Sequence, residues 1–149
     1  MKTKNIQRVA LVGGGVIGSG WATRCLAHGL SVVVTDPSPA AAEMVLKTVD
    51  SAWPILEGAG LGEKADRSKL EFAPDIETAV ADADFVQENV PEREDLKIVY
   101  TKRSAGTPKT TSWLPRVIGF LPSRLQSRCR RPERLVMVIP LPGLSIAGV

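Results

Sequence analysis

The residues best suited to chemistry sit near the amino terminus. Val12-Gly13-Gly14-Gly15-Val16-Ile17-Gly18 is a G-x-G-x-x-G spacing. An apolar run, Val9 to Val12, precedes it, and a stretch with helical character, Ile17 to His28, follows it. A strand before and a helix after are the context that makes this glycine pattern informative. Gly13 permits a tight turn, Gly15 lets backbone approach a pyrophosphate with no Cβ in the way, and Gly18 lets the helix pack close on the sheet. The free N–H groups at the helix start would hold the phosphates, with Val16 and Ile17 in that first turn. Asp36 ends a second apolar run, Ser31 to Thr35. A carboxylate there accepts both ribose hydroxyls of NAD and repels the extra phosphate of NADP, and no arginine follows it immediately. The expected cofactor is therefore NAD.

The elements that must position these residues alternate. Val9–Val12 and Ser31–Thr35 read as buried strands, and Leu70–Ala73 and Asp84–Glu88 as two more. Gly29 stops the first helix. Ser38 can cap a second helix whose second turn begins near Ala41 and which runs towards Leu56 with Met44, Val45, Val49 and Trp53 inward, until Gly58, Gly60 and Gly62 break it. A short helix spans Ile76 to Ala81, and Pro91 starts another, with Glu92 and Glu94 where the macrodipole favours acids. Strands alternating with helices predict an α/β fold, a Rossmann-type doubly wound parallel sheet covered on both faces.

The composition allows one ordinary domain: 149 residues, 44% hydrophobic, net charge +3. That apolar content excludes disorder as the dominant state. No apolar run approaches ~18 residues, so no membrane partner is expected. The start lacks a secretory h-region, and a cytoplasmic location is expected. Two cysteines, Cys25 and Cys129, make neither a disulfide framework nor a metal site. The net charge hides a split near Tyr100. Residues 1–100 carry ten Lys+Arg against fifteen Asp+Glu, whereas residues 101–149 carry nine against Glu133 alone and hold six of the eleven prolines. Only Leu121–Arg128, as a helix, and Arg134–Ile139, as a strand, keep readable character there.

Other residues read as structural. His28, the only histidine, falls at the sheet end away from the glycine turn. Cys25, Trp21 and Trp53 read as core or cover. Arg124, Arg128, Arg130, Arg131 and Arg134 form a basic cluster with no interleaved aromatics to stack bases, so a solvated surface is expected and no nucleic acid partner. Glu88-Asn89-Val90-Pro91-Glu92 ends the fourth strand at the edge where open α/β sheets bind ligands. From spacing alone, Glu92 and Lys97 read as an ordinary charged helix face.

Val9–Gly20, Asp36, the stretch Ala81 to Lys97 (ADADFVQENVPEREDLK) and Gly119-Phe120-Leu121-Pro122-Ser123 together resemble the 3-hydroxyacyl-CoA dehydrogenase family. The likeness covers residues 5–100 and returns over 119–137, and within the family it is greatest to the carnitine-oxidising members. The resemblance implies NAD as cofactor, with Glu92 and Lys97 on the nicotinamide side of its site. It implies carnitine or a 3-hydroxyacyl-CoA as small-molecule substrate. Residues 1–100 would form the dinucleotide-binding core, 101–118 a divergent segment, 119–138 the rest of the cofactor domain and 139–149 a divergent tail. The family's helical substrate and dimerisation domain, and with it the homodimer interface, are expected to be absent.

The family's chemistry needs a histidine base, a glutamate that holds it and a serine at the substrate oxygen. The serine's place, before the Gly-Phe-Leu-Pro-Ser stretch, reads Ile118 here. Where the family's Gly-His-Pro motif would follow a strand, the chain reads Ile139-Pro140-Leu141-Pro142-Gly143. The glutamate's place lies beyond Val149. No catalytic residue is therefore assigned. Codons for Thr111 to Val117 can, read two bases later, give Ile-Met-Ala-Ser-Ser-Ser, which is family-like. Frameshifts near Tyr100, Ile118 and Ile139 are the expectation this raises, testable on the genomic sequence. Thr107-Pro108 and Leu114-Pro115 oppose regular structure, so an exposed sheet edge or apolar face, with a tendency to aggregate, is expected where 101–118 should add a helix and a strand.

Overall fold

The structure is a computed structural model. The structure describes residues 5–91, 93, 95, 96, 98 and 99, and the backbone of 112–115. Among the described residues, five parallel strands form one sheet in the order β3-β2-β1-β4-β5: β1 Arg8–Val12, β2 Ser31–Thr35, β3 Leu70–Phe72, β4 Phe85–Glu88 and β5 Ser112–Pro115. Helices α1 Val16–Ala27, α2 Ala40–Ala59 and α3 Ile76–Val80 connect the first four. Residues 95, 96, 98 and 99 are also helical. The chain thus leaves β1 in one direction to reach β2 and returns past it to β4, the reversal that defines a doubly wound sheet.

Each central strand is buried on both faces, and alternate residues serve opposite layers. Val9 and Leu11 of β1 join Val32 and Val34 of β2 under α1 and α2, with Leu26, Val45, Val49 and Trp53. Ala10 and Val12 face the other way, onto Val33, Val86 and the α3 residues Ile76, Ala79 and Val80. At the amino end of the sheet the Asp84 carboxylate accepts from the backbone N–H groups of Gln7 and Arg8 at 3.0 and 3.1 Å, tying the start of β4 to the start of β1.

β2 spans the expected residues, and other elements differ in instructive ways. Ser38 does not cap α2: Pro39 is the N-cap residue with no side-chain bond, and the Ser38 N–H is instead held by Asp36 at 2.8 Å. Met44 is exposed, because the stripe that α2 buries runs through Ala41, Val45, Val49 and Trp53. The helix passes Gly58 and stops at Gly60. Pro54 lies inside it; proline removes one helical hydrogen bond, and the two residues concerned, Asp50 and Pro54, are both exposed, so water can serve the freed carbonyl.

The expectation that 101–118 adds no strand is corrected. Ser112–Pro115 pairs with Phe85–Glu88 in parallel register. Pro115 is tolerated because it is the last residue of that strand, where a ladder donor is dispensable. Glu92, Lys97, Cys129, the arginine cluster, and the helix and strand expected at 121–128 and 134–139 lie outside the described residues.

Two measurements check this packing. Leu26 is fully buried, so Leu26→Ala should cost about 2–5 kcal/mol of unfolding free energy in urea titration. Cys25 is buried, and desolvation pushes its thiol up to about 11. Native Cys25 should therefore resist iodoacetamide at pH 8 in peptide mapping and react once the chain is unfolded.

Candidate functional site

The carboxyl ends of β1, β2 and β4 meet at one place. Val12 pairs with Thr35 on one side and with Glu88 on the other, so the segments that follow all three strands open onto the same edge. There the chain builds a cavity of about 660 Å³. Its wall includes Gly13, Gly15, Val16, Ile17 and Gly18 from the glycine turn and α1, and Asp36 and Pro37 after β2. Pro74, Asp75 and Ile76 after β3, and Asn89, Val90, Pro91 and Leu96 after β4, complete it. The volume is that of a small-molecule or cofactor site. Six of the eight residues expected at a cofactor site, Gly13, Gly15, Val16, Ile17, Gly18 and Asp36, thus share one wall; Glu92 and Lys97 lie outside the described residues.

The turn is held from several directions. Gly13 takes φ +102°, in the region that favours glycine, and its N–H donates to the Thr35 carbonyl at 2.9 Å. Asn89 N–H donates to the Val12 carbonyl at 2.8 Å, which fixes the turn to the end of β4. Gly18 packs directly on the Gly13 carbonyl: a Cβ there would overlap that oxygen. The Ser19 hydroxyl, fully buried, donates to the Gly15 carbonyl at 2.9 Å. Ser19 was missed by sequence reasoning, since a serine inside a helix carries no signal of what its hydroxyl reaches.

The surface of the turn is open where a ligand would come. Among the described residues, nothing beyond Gly15's own neighbours in the chain and helix lies within 4 Å of where a Cβ on it would be, and Val16 is 81% exposed at the mouth of the cavity. Val16, Ile17 and Gly18 begin α1, and the first N–H groups of a helix have no carbonyl partner within it. These donors, with the positive end of the helix dipole, face a cavity lined largely by apolar side chains and suit an anion. No acidic residue lies in the first turn of α1 to compete for that place. Beside the turn stands Asp36, half-buried, its Oδ2 accepting from Gly14 N–H at 2.7 Å and its Oδ1 from Ser38 N–H at 2.8 Å. A carboxylate has about four acceptor sites, so capacity remains for hydroxyl groups of a ligand.

Beyond the motif, Pro37, Pro74 and Ile76 add an apolar wall beside Asp36. Their signal was positional: each follows the carboxyl end of a strand, where such sheets bind ligands. Glu88 is fully buried at the end of β4, its Oε1 accepting from Val90 N–H at 2.7 Å, and so shapes the loop rather than facing the cavity mouth. His28 is exposed just beyond the last turn of α1, at the opposite end of the sheet.

Comparison with known proteins bears on what the cavity takes. The model of the 3-hydroxyacyl-CoA dehydrogenase NAD-binding domain matches residues 8–140. The chain belongs to this family. NAD is accordingly the cofactor of the domain, and the open glycine cradle, free helix donors and Asp36 fit it. L-carnitine dehydrogenase of Staphylococcus epidermidis is 46% identical over 140 residues, covering 89% of the chain and 42% of that protein. The Pseudomonas putida L-carnitine dehydrogenase is 43% identical over 150 residues, covering 96% and 47%. Among solved structures, a 5-formyl-3-hydroxy-2-methylpyridine 4-carboxylic acid 5-dehydrogenase superimposes with a TM-score of 0.81 at 31% identity, over 93% of this chain and 45% of that one. (S)-3-hydroxybutyryl-CoA dehydrogenase PaaH1 from Ralstonia eutropha gives 0.80 at 26%, over 92% and 50%. The chain spans less than half the length of the L-carnitine dehydrogenases it matches. Among the described residues, no helix is long and apolar enough to cross a membrane.

The two glycines separate folding from binding. Gly18→Ala should destabilise the fold by about 1–3 kcal/mol through overpacking on the Gly13 carbonyl. Gly15→Ala places its methyl in open space at an ordinary φ of −69°. It should leave the melting temperature within about 1 °C of wild type, as a methyl on open surface changes stability little, and should weaken NAD binding measured by calorimetry.

Proposed function

We propose that the chain is the NAD-binding part of an NAD-dependent 3-hydroxy-acid dehydrogenase, with the dinucleotide lying along the 660 Å³ cavity. The observation that carries this reading is the convergence of Gly13, Gly15, Val16, Ile17, Gly18 and Asp36 on that one wall. The pyrophosphate lies over Gly15 and receives the N–H groups of the first turn of α1. Asp36 accepts the adenosine ribose hydroxyls, and Pro37, Pro74 and Ile76 flank the adenine. The nicotinamide end extends past Asn89 and Val90; Glu92 and Lys97 are assigned to it by the family resemblance alone. Bound there, NAD supplies the hydride acceptor.

L-carnitine, oxidised to 3-dehydrocarnitine, is the substrate class this reading favours, because the relatives above are 43–46% identical to the chain. A 3-hydroxyacyl-CoA is the second reading, favoured by the likeness to the PaaH1 structure. A cytoplasmic location fits an NAD-dependent activity. As encoded, the chain does not turn over. The positions where the family carries its serine and histidine read Ile118 and Pro140-Leu141-Pro142, and His28 is at the wrong end of the sheet. General-base catalysis alone is worth ~10²–10⁴-fold.

Calorimetric titration should show saturable NAD binding and at least about tenfold weaker NADP binding, the cost of setting a phosphate against the Asp36 carboxylate. Absence of NAD binding by a cooperatively melting protein would refute the reading. With NAD and L-carnitine, or NAD and 3-hydroxybutyryl-CoA, absorbance at 340 nm should stay flat; steady NADH formation would sink the claim of inactivity.

A further inference from the structure

Asp36 is bonded twice to backbone in the protein alone. Its Oδ2 accepts from Gly14 N–H at 2.7 Å and its Oδ1 from Ser38 N–H at 2.8 Å. The two donors reach different oxygens, so the side chain must present an acceptor on both arms. A carboxylate does this; an amide would turn its NH₂ towards one of the two donors. Gly14 is otherwise wedged. A Cβ on it would lie 3.1 Å from Ala41 Cβ and 3.3 Å from Val34 Cγ1. Gly14 is buried, so an N–H released there has little access to replacement water.

We propose that Asp36 is a positioning residue for the phosphate cradle. Its carboxylate latches the glycine turn through Gly14 N–H and thereby sets where the Val16, Ile17 and Gly18 donors point. The two bonds occupy one lone-pair site on each oxygen and leave one on each for ribose hydroxyls. Replacing Asp36 to admit NADP therefore loosens the pyrophosphate cradle at the same time, and such a variant loses more NAD affinity than the ribose contacts alone supply. The effect on ligand binding rests on the reading that the cavity takes NAD; the latch itself does not.

The test uses the full chain with Asp36→Ala and Asp36→Asn. Without ligand, amide exchange followed by NMR should quicken at least about tenfold at Gly14 in Asp36→Ala, as expected when a buried N–H loses its partner. Leu11 and Val33, in the strands, should keep their protection. In Asp36→Asn the exchange should quicken at Gly14 or at Ser38. A second arm measures affinity for NAD and for an NAD analogue whose adenosine ribose lacks both hydroxyls. The latch predicts that Asp36→Ala weakens the analogue about tenfold as well, an effect of the size of one lost hydrogen bond. Unchanged Gly14 exchange in Asp36→Ala, or unchanged affinity for the analogue, overturns the proposal. Should Asp36→Ala not melt cooperatively, Asp36→Asn decides: unchanged exchange at both amides overturns the latch. A wild-type chain that binds neither dinucleotide overturns the cofactor reading, while the exchange data still decide the latch.

Discussion

The close contact between Gly18 and the carbonyl of Gly13 governs the site's geometry. It lets the first turn of α1 sit directly on the end of β1, so the helix axis starts at the sheet edge instead of a side chain's width away. Everything the cavity offers follows from that placement. The uncompensated N–H groups face the space between Asp36 and the loop after β4. Moving the helix outwards by one methyl would shift donors and dipole together, because a helix behaves as a rigid element on this scale.

The central strands that support this contact are held at both ends by carboxylates. Asp84 takes the N–H groups that open β1, and Asp36 takes the N–H of Gly14 just beyond its close. Between them, β1 is paired on both sides and buried on both faces. Such a strand has little freedom to slide, since a one-residue slip would exchange Val9 and Leu11 with Ala10 and Val12 between two differently shaped layers. The apolar layers set the strand's register, and the acids hold its two ends.

How much of this was legible from the residues depends on the kind of information each position carries. The strands β1 and β2 were readable because runs such as Val32-Val33-Val34 are apolar at every position, the pattern of a strand buried on both faces. The glycine turn was readable because its spacing has a steric cause. Met44 was misplaced because an apolar residue one step off the stripe looks no different from its neighbours. β5 was missed because Pro115 was weighed as a strand breaker, whereas at the last position it breaks nothing. Ser38 was read as a cap because its type suits one, yet its N–H is used instead, by an acid two residues earlier. Asp36 was read only towards a ligand, since nothing in a linear string reveals that the Gly14 amide lies 2.7 Å away. Pairwise distances between segments far apart in the chain decide such cases, and single-residue types do not encode them.

The topology also orders the birth of the site. Val9 pairs with Val32, which follows it soon, and with Phe85, which follows it much later. During synthesis β1, α1 and β2 can assemble as a local unit while β4 is still to come. The glycine turn is then unfinished, because its backbone rests on Asn89, whose N–H closes the Val12 carbonyl. A nascent chain stopped before that residue carries the whole motif yet presents β1 with an open edge. The ligand-binding geometry thus arrives with the return strand.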